Sequence, residues 1–593
     1  MNLSVLDLSY TAGSPFQEYL LNNQKLKKTL LEFEFYDVKF YSDGKAASRV
    51  YLQYPKGNPY WYKDFEKALE KFTSAEYESD WKKLMGNLHD RIHSEMLIYK
   101  AVLNASVTPS AIVETMLKYQ LRDYQACDLL QFVEKYREND NKGLILSEPR
   151  TGKTRVALAA LAKLASPGDV ALVICPKSAE AGWVSETKVF DSASYKLFDT
   201  TVVTKISDLK RLELNPNALN VRIISYELFK KLKAPTQLRE LTNNSKHITM
   251  IGDEIHRLRN FKTQQSKAIF DFKEFCSLDK VQLGIIGMTG TPAVKDSSDV
   301  FGILSLINDS KIQFRPYYKA FDEFKEYFYY CEDTSFGKQT KALKRSDELN
   351  YILQTCSVQT KQRELDMFKG YEKRYRKVEL DLDEDQKRIY DSVYDTMEYD
   401  EDIDCQNKLV QLIRLQQICI DPFGLVSSYA RLSPKLKWVC MFAMRNKTKA
   451  IVAAKKVTPL NHLSSVLDKL NIPHSYIKGS LSYSERLEQV AAFTDNPDNN
   501  ILLMQLDTGR EALTISAAQA TIFLDRDFAQ GFNEQAEARM TPVDGTPCVK
   551  YVIDLIMKDT KEESIYDTLV IRKKSIDAVN TVFKPRKEIR NGI

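Results

Sequence analysis

The sequence predicts an α/β protein with two parallel-sheet lobes, a helical insertion between them, and a separate α+β region in front. Three observations predict it. Short runs rich in Val and Ile alternate with helix-patterned segments from about residue 143, and the same alternation returns from about residue 433. Each run ends in polar or glycine-rich residues, as strands do in a parallel sheet covered by helices. A phosphate-loop pattern follows the first run, and open α/β sheets bind their ligands beyond the carboxyl ends of the strands.

The chain has 593 residues, more than one hydrophobic core usually serves, so three or four structural units are expected. A composition of 43% hydrophobic and 28% charged residues excludes a largely disordered chain. Its 85 basic and 80 acidic residues leave a net charge of +5, too mild to indicate a nucleic-acid partner by itself. A motor sliding on DNA needs a basic track, not a basic whole. Nine cysteines are scattered without a C-x-x-C or zinc spacing, which suggests reduced thiols in a cytosol-like compartment. Cys127, Cys175 and Cys419 lie in apolar stretches and read as core. The N-terminus lacks the basic start and apolar centre of a signal peptide. No apolar run approaches the roughly 18 residues that span a bilayer. The expectation is a soluble intracellular protein with no membrane partner.

Residues 1–115 form the first unit. Two strand-like runs, 33–40 and 49–54, flank Ser42-Asp43-Gly44 as a hairpin would. Apolar residues at helical spacing follow: Phe65, Leu69 and Phe72, then Leu84, Leu88 and Ile92. Residues 116–309 form the first lobe, with strands expected at 143–146, 170–175, 221–225, 249–252 and 283–288. Residues 310–432 are aromatic, charged and mostly helical in pattern. Residues 433–570 form the second lobe, with strands expected at 450–454, 475–478, 501–505, 521–525 and 549–555. Residues 571–593 read as a basic tail, with Arg572 to Lys574 and Lys584 to Arg590.

The octet Ser147-Glu148-Pro149-Arg150-Thr151-Gly152-Lys153-Thr154 follows a strand and precedes a helix-forming run. This is the P-loop pattern, with serine at the first glycine. Backbone N–H groups of such a loop cradle phosphate oxygens, and the helix N-terminus adds a favourable dipole. Lys153 is placed to reach the β and γ phosphates of ATP, and Thr154 to offer its hydroxyl to Mg2+. Asp253 and Glu254 end a later strand. One carboxylate there can hold magnesium and a second can activate water; Asp253 takes the first role and Glu254 the second. Without the P-loop, the same pair would read as a solvated strand cap.

From this point the motifs resemble one family, the Swi/Snf-type ATPases of helicase superfamily 2. Asp253 to Asn260, DEIHRLRN, resembles the family's D-E-A-H-R-x-K-N. Leu121-Arg122-Asp123-Tyr124-Gln125 looks like its adenine-side L-R-x-Y-Q, which assigns Arg122 and Gln125 to ATP. Cys175-Pro176-Lys177, with Trp183 and Glu186, resembles motif Ia, and Ser225-Tyr226-Glu227 matches S-Y-E. Met288-Thr289-Gly290-Thr291-Pro292 matches L-T-G-T-P, which in the family couples hydrolysis to lobe movement; His256, Thr289, Gly290 and Thr291 are the coupling candidates. Leu412 to Pro422 resembles L-R-x-x-C-x-H-P, with Asp421 where histidine is usual. Ser433-Pro434-Lys435-Leu436 resembles S-x-K-L; Gly479, Arg486 and Phe493 fit G…R…F; Thr560 and Glu562-Glu563 fit a closing T-x-E-E. The resemblance runs from about 117 to 570. It implies two RecA-like lobes with ATP between them and translocation along duplex DNA, commonly without strand separation.

Three further departures from the family bear on the chemistry. Arg150 replaces a P-loop glycine, so its side chain either points away from the phosphates or clamps them. Motif V reads Thr508-Gly509-Arg510-Glu511-Ala512-Leu513-Thr514 where A-G-G-x-G-x-N is usual, leaving Gly509 as the retained glycine. Motif VI, Gln535-Ala536-Glu537-Ala538-Arg539-Met540-Thr541-Pro542, keeps Gln535 and the first arginine, Arg539, but has Pro542 in place of the second. An arginine finger is worth on the order of 10³–10⁵ in turnover. Either Arg539 is the sole finger, with help from Arg510, or lobe 2 is degenerate. The intact Lys153, Thr154, Asp253, Glu254 and Gln125 favour an active enzyme.

By the same resemblance, DNA lies across both lobes, and Lys177, Ser178, Ser225, Lys455 and Thr508 are candidate backbone contacts. Each also reads as an ordinary loop-end polar residue. Phosphate contacts carry no base information, so weak sequence preference and strong salt dependence are expected. Tyr54, Tyr60, Trp61 and Tyr62 near Lys56 and Lys63 could stack on single-stranded or distorted DNA. They also read as core, and residues 1–115 could recruit a protein partner. The leading reading is a duplex-DNA translocase acting on protein–DNA complexes or on branched or forked DNA. Its rivals are a strand-separating helicase and an adaptor holding ATP as a structural ligand. Compact size and eroded lobe-2 motifs resemble a viral or bacterial member, with a cytoplasmic or nucleoid-associated location.

Overall fold

A computed structural model describes residues 3–7, 19, 22–32, 35–42, 45–55, 59–72, 75–191, 196–293, 297–307, 321–334, 337–365, 368–506, 515–528, 530–542 and 548–580. At the N-terminus, β1 (Leu3–Asp7), β2 (Phe35–Ser42) and β3 (Lys45–Pro55) form an antiparallel sheet in the order β1-β3-β2. The expected hairpin is β2 and β3, although Asp43 and Gly44 of its turn lie outside the described residues. Helices Pro59–Leu69 and Glu78–Ser106 follow. Phe65, Leu69, Leu84, Leu88 and Ile92 bury their apolar stripes in one small core with Trp61 and Tyr62. Trp61 and Tyr62 are thus core residues of this unit.

The first lobe is a seven-stranded, all-parallel sheet. Its strands are β4 (Lys142–Ile145), β5 (Val170–Cys175), β6 (Phe198–Val203), β7 (Leu219–Ser225), β8 (His247–Asp253), β9 (Gln282–Met288) and β12 (Ser357–Val358), in the order β12-β4-β9-β8-β5-β7-β6. β4, β5 and β7 are buried along their whole length, which is why they read as unbroken apolar runs. Helices cover both faces over two separate apolar cores.

The second lobe is a six-stranded parallel sheet of β13 (Tyr371–Leu380), β16 (Ala450–Ala454), β17 (His474–Ile477), β18 (Ile501–Gln505), β19 (Ala520–Phe523) and β20 (Cys548–Met557), ordered β13-β20-β19-β16-β18-β17. It too carries a core on each face. Both sheets therefore have the expected α/β form.

Sheet membership does not follow the expected boundaries at 310 and 432. The intervening stretch does hold helices Phe321–Phe328, Ser346–Cys356, Glu384–Thr396 and Lys408–Ile420. It also holds a hairpin, β10 (Tyr329–Thr334) with β11 (Gly337–Leu343), and a short pair, β14 (Glu398–Tyr399) with β15 (Ile403–Asp404). β12 adds a strand to lobe 1, and β13 pairs over ten residues with β20 of lobe 2. β13 reads YEKRYRKVEL because it is an edge strand, and charged edges discourage pairing with other chains. That charge hides it from a search for apolar runs. Residues 115 and 116 fall inside helix Pro109–Tyr119, and the expected tail begins inside helix Lys561–Asn580. Residues 584–590 lie outside the described residues. Among the described residues, no single helix is long and apolar enough to cross a membrane.

Candidate active site

The loop between β4 and helix Lys153–Leu164 is held by bonds to its own backbone and to distant segments. Gly152 caps the helix with φ 82°, a left-handed conformation that suits glycine. A Cβ there would run into Gln125 Nε2, so the same glycine also admits the glutamine. Gln125 accepts from the Arg122 backbone N–H at 3.0 Å and donates to the Thr151 carbonyl at 3.1 Å. The Tyr124 hydroxyl donates to the same carbonyl. The adenine-side motif and the phosphate loop are therefore one bonded unit. The Thr151 hydroxyl and the Lys153 ammonium both donate to the Glu148 carbonyl, at 2.8 and 3.3 Å. Burial pulls the Lys153 ammonium down, opposed by the charges of Glu254, Asp253 and Glu148.

A third party to this loop carried no sequence signal. Residues 357–362 run behind it. Leu146 N–H donates to Val358, Thr360 N–H to Ser147 Oγ, Glu148 N–H to the Thr360 carbonyl, and Gln362 N–H to Glu148 Oε2. The Thr360 hydroxyl in turn donates to buried Asp128. Ser147 and Glu148 thus spend their side chains on the segment that continues into β13, the edge strand of lobe 2. Backbone partners leave little trace in side-chain identity, which is why the contact was not legible.

Arg150 stands at φ 65° in the left-handed region, which costs a non-glycine residue about 1–2 kcal/mol. Its guanidinium crosses the cleft, where Nη2 donates to the Arg539 carbonyl at 3.4 Å. The side chain is thus directed at lobe 2.

At the end of β8, Asp253 Oδ2 accepts from Trp183 Nε1 at 3.0 Å and Oδ1 from the Glu254 N–H at 3.0 Å. Tyr226 fixes the backbone by donating to the Asp253 carbonyl. Trp183 and Tyr226, noticed only as motif letters, are thus the groups that aim this carboxylate. Burial, then the Glu254 charge, pushes Asp253 above the usual carboxylate range. Burial also raises Glu254, but His256 together with the charges of Lys153 and Arg539 outweighs it and holds Glu254 low. Asp253 is therefore a buried carboxylate beside a second one, and a divalent cation there would favour its ionised form. Its oxygens and the Thr154 hydroxyl are the hard donors that magnesium prefers.

Glu254 joins two motifs. His256 Nδ1 lies 3.1 Å from Glu254 Oε2 and 3.0 Å from Thr289 Oγ1. The Thr289 hydroxyl also reaches Glu254 at 3.3 Å, and Thr291 N–H donates to Thr289 Oγ1. A Cβ on Gly290 would meet Pro149 Cδ at 2.9 Å, so this motif packs directly on the phosphate loop. The structure brings His256, Thr289, Gly290 and Thr291 together beside Glu254 and the phosphate loop.

Lobe 2 faces this assembly with helix Gln530–Ala538 and the residues after it. Gln535 borders two cavities. One, of about 360 Å³, meets Glu148, Pro149 and Gly290; the other, of about 530 Å³, meets Glu254, His256 and Arg259. The Arg539 charge is felt at Glu254, across the cleft. Pro542 is buried. Thr508, Gly509 and Arg510 lie outside the described residues. Within lobe 2, Arg526 bonds Asp554 through Nε and Nη2 and Glu537 of the helix through Nη1, all three nearly inaccessible; Tyr375 donates to Glu537 at 2.9 Å. This buried cluster carried no motif beyond the unremarked glutamate of Q-A-E-A-R.

The described DNA candidates, Lys177, Ser178, Ser225 and Lys455, share the carboxyl ends of strands but differ in state. Lys177 is exposed beyond β5, with Ser178 half-buried beside it. Ser225 is 6% exposed, and its hydroxyl caps the helix after β7 by accepting from Leu228 N–H. Lys455 pairs with Asp527 at 3.3 Å. Of these, Lys177 offers its charge most openly.

Two family models match this chain: the SNF2-related domain over residues 124–423 and the helicase conserved C-terminal domain over residues 434–541. Similar proteins include the Caenorhabditis elegans homolog of SWI/SNF-related matrix-associated actin-dependent regulator of chromatin subfamily A-like protein 1. It is 24% identical, over 72% of this chain and 58% of the relative. Chromodomain-helicase-DNA-binding protein 1-like of Danio rerio is 25% identical, over 77% of this chain and 44% of the relative. The human subfamily A member 1 regulator is 22% identical, over 76% and 43%. The chain thus spans about half the length of the curated relatives it matches. A solved structure, the Sulfolobus solfataricus SWI2/SNF2 ATPase core in complex with dsDNA, is 19% identical with a TM-score of 0.33, covering 78% of this chain and 93% of that one.

Proposed function

The chain belongs to the SNF2-related family and is an ATP hydrolase of the helicase-like type; on that premise we propose that it is a motor that translocates along double-stranded DNA and remodels protein–DNA complexes or branched DNA. The observation that carries the reading is the bonded set Glu254–His256–Thr289, packed through Gly290 on the phosphate loop and facing Arg539 of lobe 2. Chemistry at Glu254 is then felt at once in the motif that borders the second lobe.

In this reading, Gln125 and Arg122 hold the adenine end of ATP, and the backbone from Ser147 to Gly152 cradles the phosphates. Lys153 exchanges its loop carbonyl for β and γ oxygens, a charge-assisted bond that offsets its burial. Magnesium, held by Thr154 and Asp253, would neutralise phosphate charge. Glu254, kept ionised by its neighbours, orients water in line with the γ phosphate and accepts its proton. Arg539 stabilises the charge that develops on the departing phosphoryl group, with Gln535 and Gly509 as further lobe 2 contacts to ATP. When the γ phosphate leaves, Glu254 alters its bonds to His256 and Thr289, and the cleft loses the charge that drew Arg539 in. DNA is held at Lys177, Ser178 and Thr508, with Ser225 and Lys455 available after their present partners release them. Residues 1–115 serve as a docking unit for a protein partner.

Steady-state ATP hydrolysis without nucleic acid and with duplex, single-stranded and forked DNA and RNA tests this, with Glu254→Gln as blank. Stimulation by duplex, lost in the variant and falling steeply with salt, is expected. Separation of forked strands would instead make it a helicase. Buried Pro542, in place of a second arginine, favours one further reading: ATP binding with no turnover above the blank would make the protein an ATP-held adaptor.

A further inference from the structure

We infer that Arg150 is a positioning residue of the ATPase cycle: its guanidinium latches the phosphate loop of lobe 1 to the end of the motif VI helix of lobe 2, and so presents Arg539 to the γ phosphate. The inference rests on the ATPase reading given above and goes beyond it. Four observations carry it. First, the residue is costly where it stands, at φ 65° in a loop position that glycine would fill without strain. Second, the side chain is half-buried and directed across the cleft, with Nη2 donating to the Arg539 carbonyl, 389 residues away in sequence.

Third, that carbonyl lies just past the last residue of helix Gln530–Ala538, where the backbone oxygens at a helix end carry partial negative charge and a cation is favoured. The same carbonyl accepts from Ile515 N–H at 2.9 Å, so the latch closes on a fixed point of the lobe 2 core, not on a loose loop. Fourth, the position that would hold a second arginine on that segment is Pro542, three residues on and buried. Lobe 2 therefore brings one motif VI arginine to the cleft, and lobe 1 contributes the cation that fixes where it stands. The loop that feels the phosphates is then the loop that holds the finger. Filling the site would draw Arg539 inward and shorten the Arg150 bond, which is long at 3.4 Å, in one movement.

The test is Arg150→Gly, which removes the latch and relieves the backbone, alongside Arg150→Lys. Nucleotide affinity, read with a fluorescent ATP analogue, should stay within about twofold, because the cradle is backbone. Turnover at saturating ATP should fall on the order of 10- to 100-fold, as for a misplaced catalytic group, with KM unchanged. Arg150→Lys should recover part of that loss, and Pro542→Arg added to Arg150→Gly should recover more than it adds to the wild type. A fluorescence-transfer pair on the two lobes, read with a non-hydrolysable ATP analogue, should show closure impaired in Arg150→Gly. Wild-type turnover in Arg150→Gly, or a loss confined to affinity, overturns the latch. If the wild type does not exceed the Glu254→Gln blank, the ATPase reading fails separately, and the closure measurement decides: lobes that close equally in both proteins overturn the latch.

Discussion

The two lobes have the same architecture but invest their polar residues differently. In lobe 1, the side chains named by motifs bond one another at the mouth of the sheet: Gln125 to the phosphate loop, Trp183 to Asp253, His256 and Thr289 to Glu254. In lobe 2, the strongest polar bonds tie the lobe to itself, in Arg526–Asp554–Glu537 and in Lys435–Glu562, while Gln535 borders the cleft and the Arg539 charge acts across it. Lobe 1 is organised for chemistry before any ligand arrives. Lobe 2 is organised as a rigid carrier that delivers a small number of groups. Losses in lobe 1 should therefore appear first in catalysis, and losses in lobe 2 in stability, except at the delivered groups.

The delivered group gives the largest effect. Arg539→Ala should lower turnover on the order of 10³-fold or more while the protein melts as wild type. Steady-state kinetics beside a thermal melt checks this, and a change of less than tenfold would mean that lobe 2 does not deliver the finger.

The carrier should fail by unfolding. Lys435 is fully buried, with its ammonium 2.6 Å from both Glu562 and the Leu524 carbonyl. Glu562→Gln strips the countercharge and should cost about 3–5 kcal/mol in urea denaturation. Lys435→Met with Glu562→Leu should recover most of it, because an uncharged pair has no desolvation penalty.

Within lobe 1, Trp183→Phe leaves the ring in its pocket but removes the donor to Asp253. Groups that orient a metal ligand are worth about 10- to 100-fold. Turnover should fall by that factor at limiting magnesium and recover as magnesium is raised, with the melting temperature nearly unchanged. A loss that magnesium does not repair would place Trp183 in packing alone.

What was legible in the sequence follows the same division. The phosphate loop, DEIH and TGTP stand at strand ends, where local order in the chain places the chemistry, so their spacing sufficed. The Lys435–Glu562 pair joins the S-x-K-L and T-x-E-E segments of this chain, 127 residues apart, but neither motif names its partner. β13 was hidden by its edge-strand charges, and the hold of residues 357–362 on the phosphate loop by its reliance on backbone groups. Arg150 was visible as a departure; its direction needed the second lobe in place.

Asp421, where the family has histidine, should give the smallest effect and the finest comparison. Its carboxylate is buried and 2.6 Å from His462 Nδ1, and His462 stacks on Phe423 with ring centroids 3.7 Å apart. An imidazole thus stands beside position 421, contributed by helix Val457–Lys469. Burial pushes the Asp421 carboxyl up, opposed by the bond to His462, so the carboxylate gives back in desolvation much of what the bond contributes. Asp421→Asn should therefore cost only about 1 kcal/mol by denaturation. Asp421→His alone sets two imidazoles face to face and should cost more than Asp421→His with His462→Asp, which restores the pair in reverse. Equal costs for the single and the double variant would mean that the two side chains do not act as a pair, and that the histidine was lost from this position without replacement.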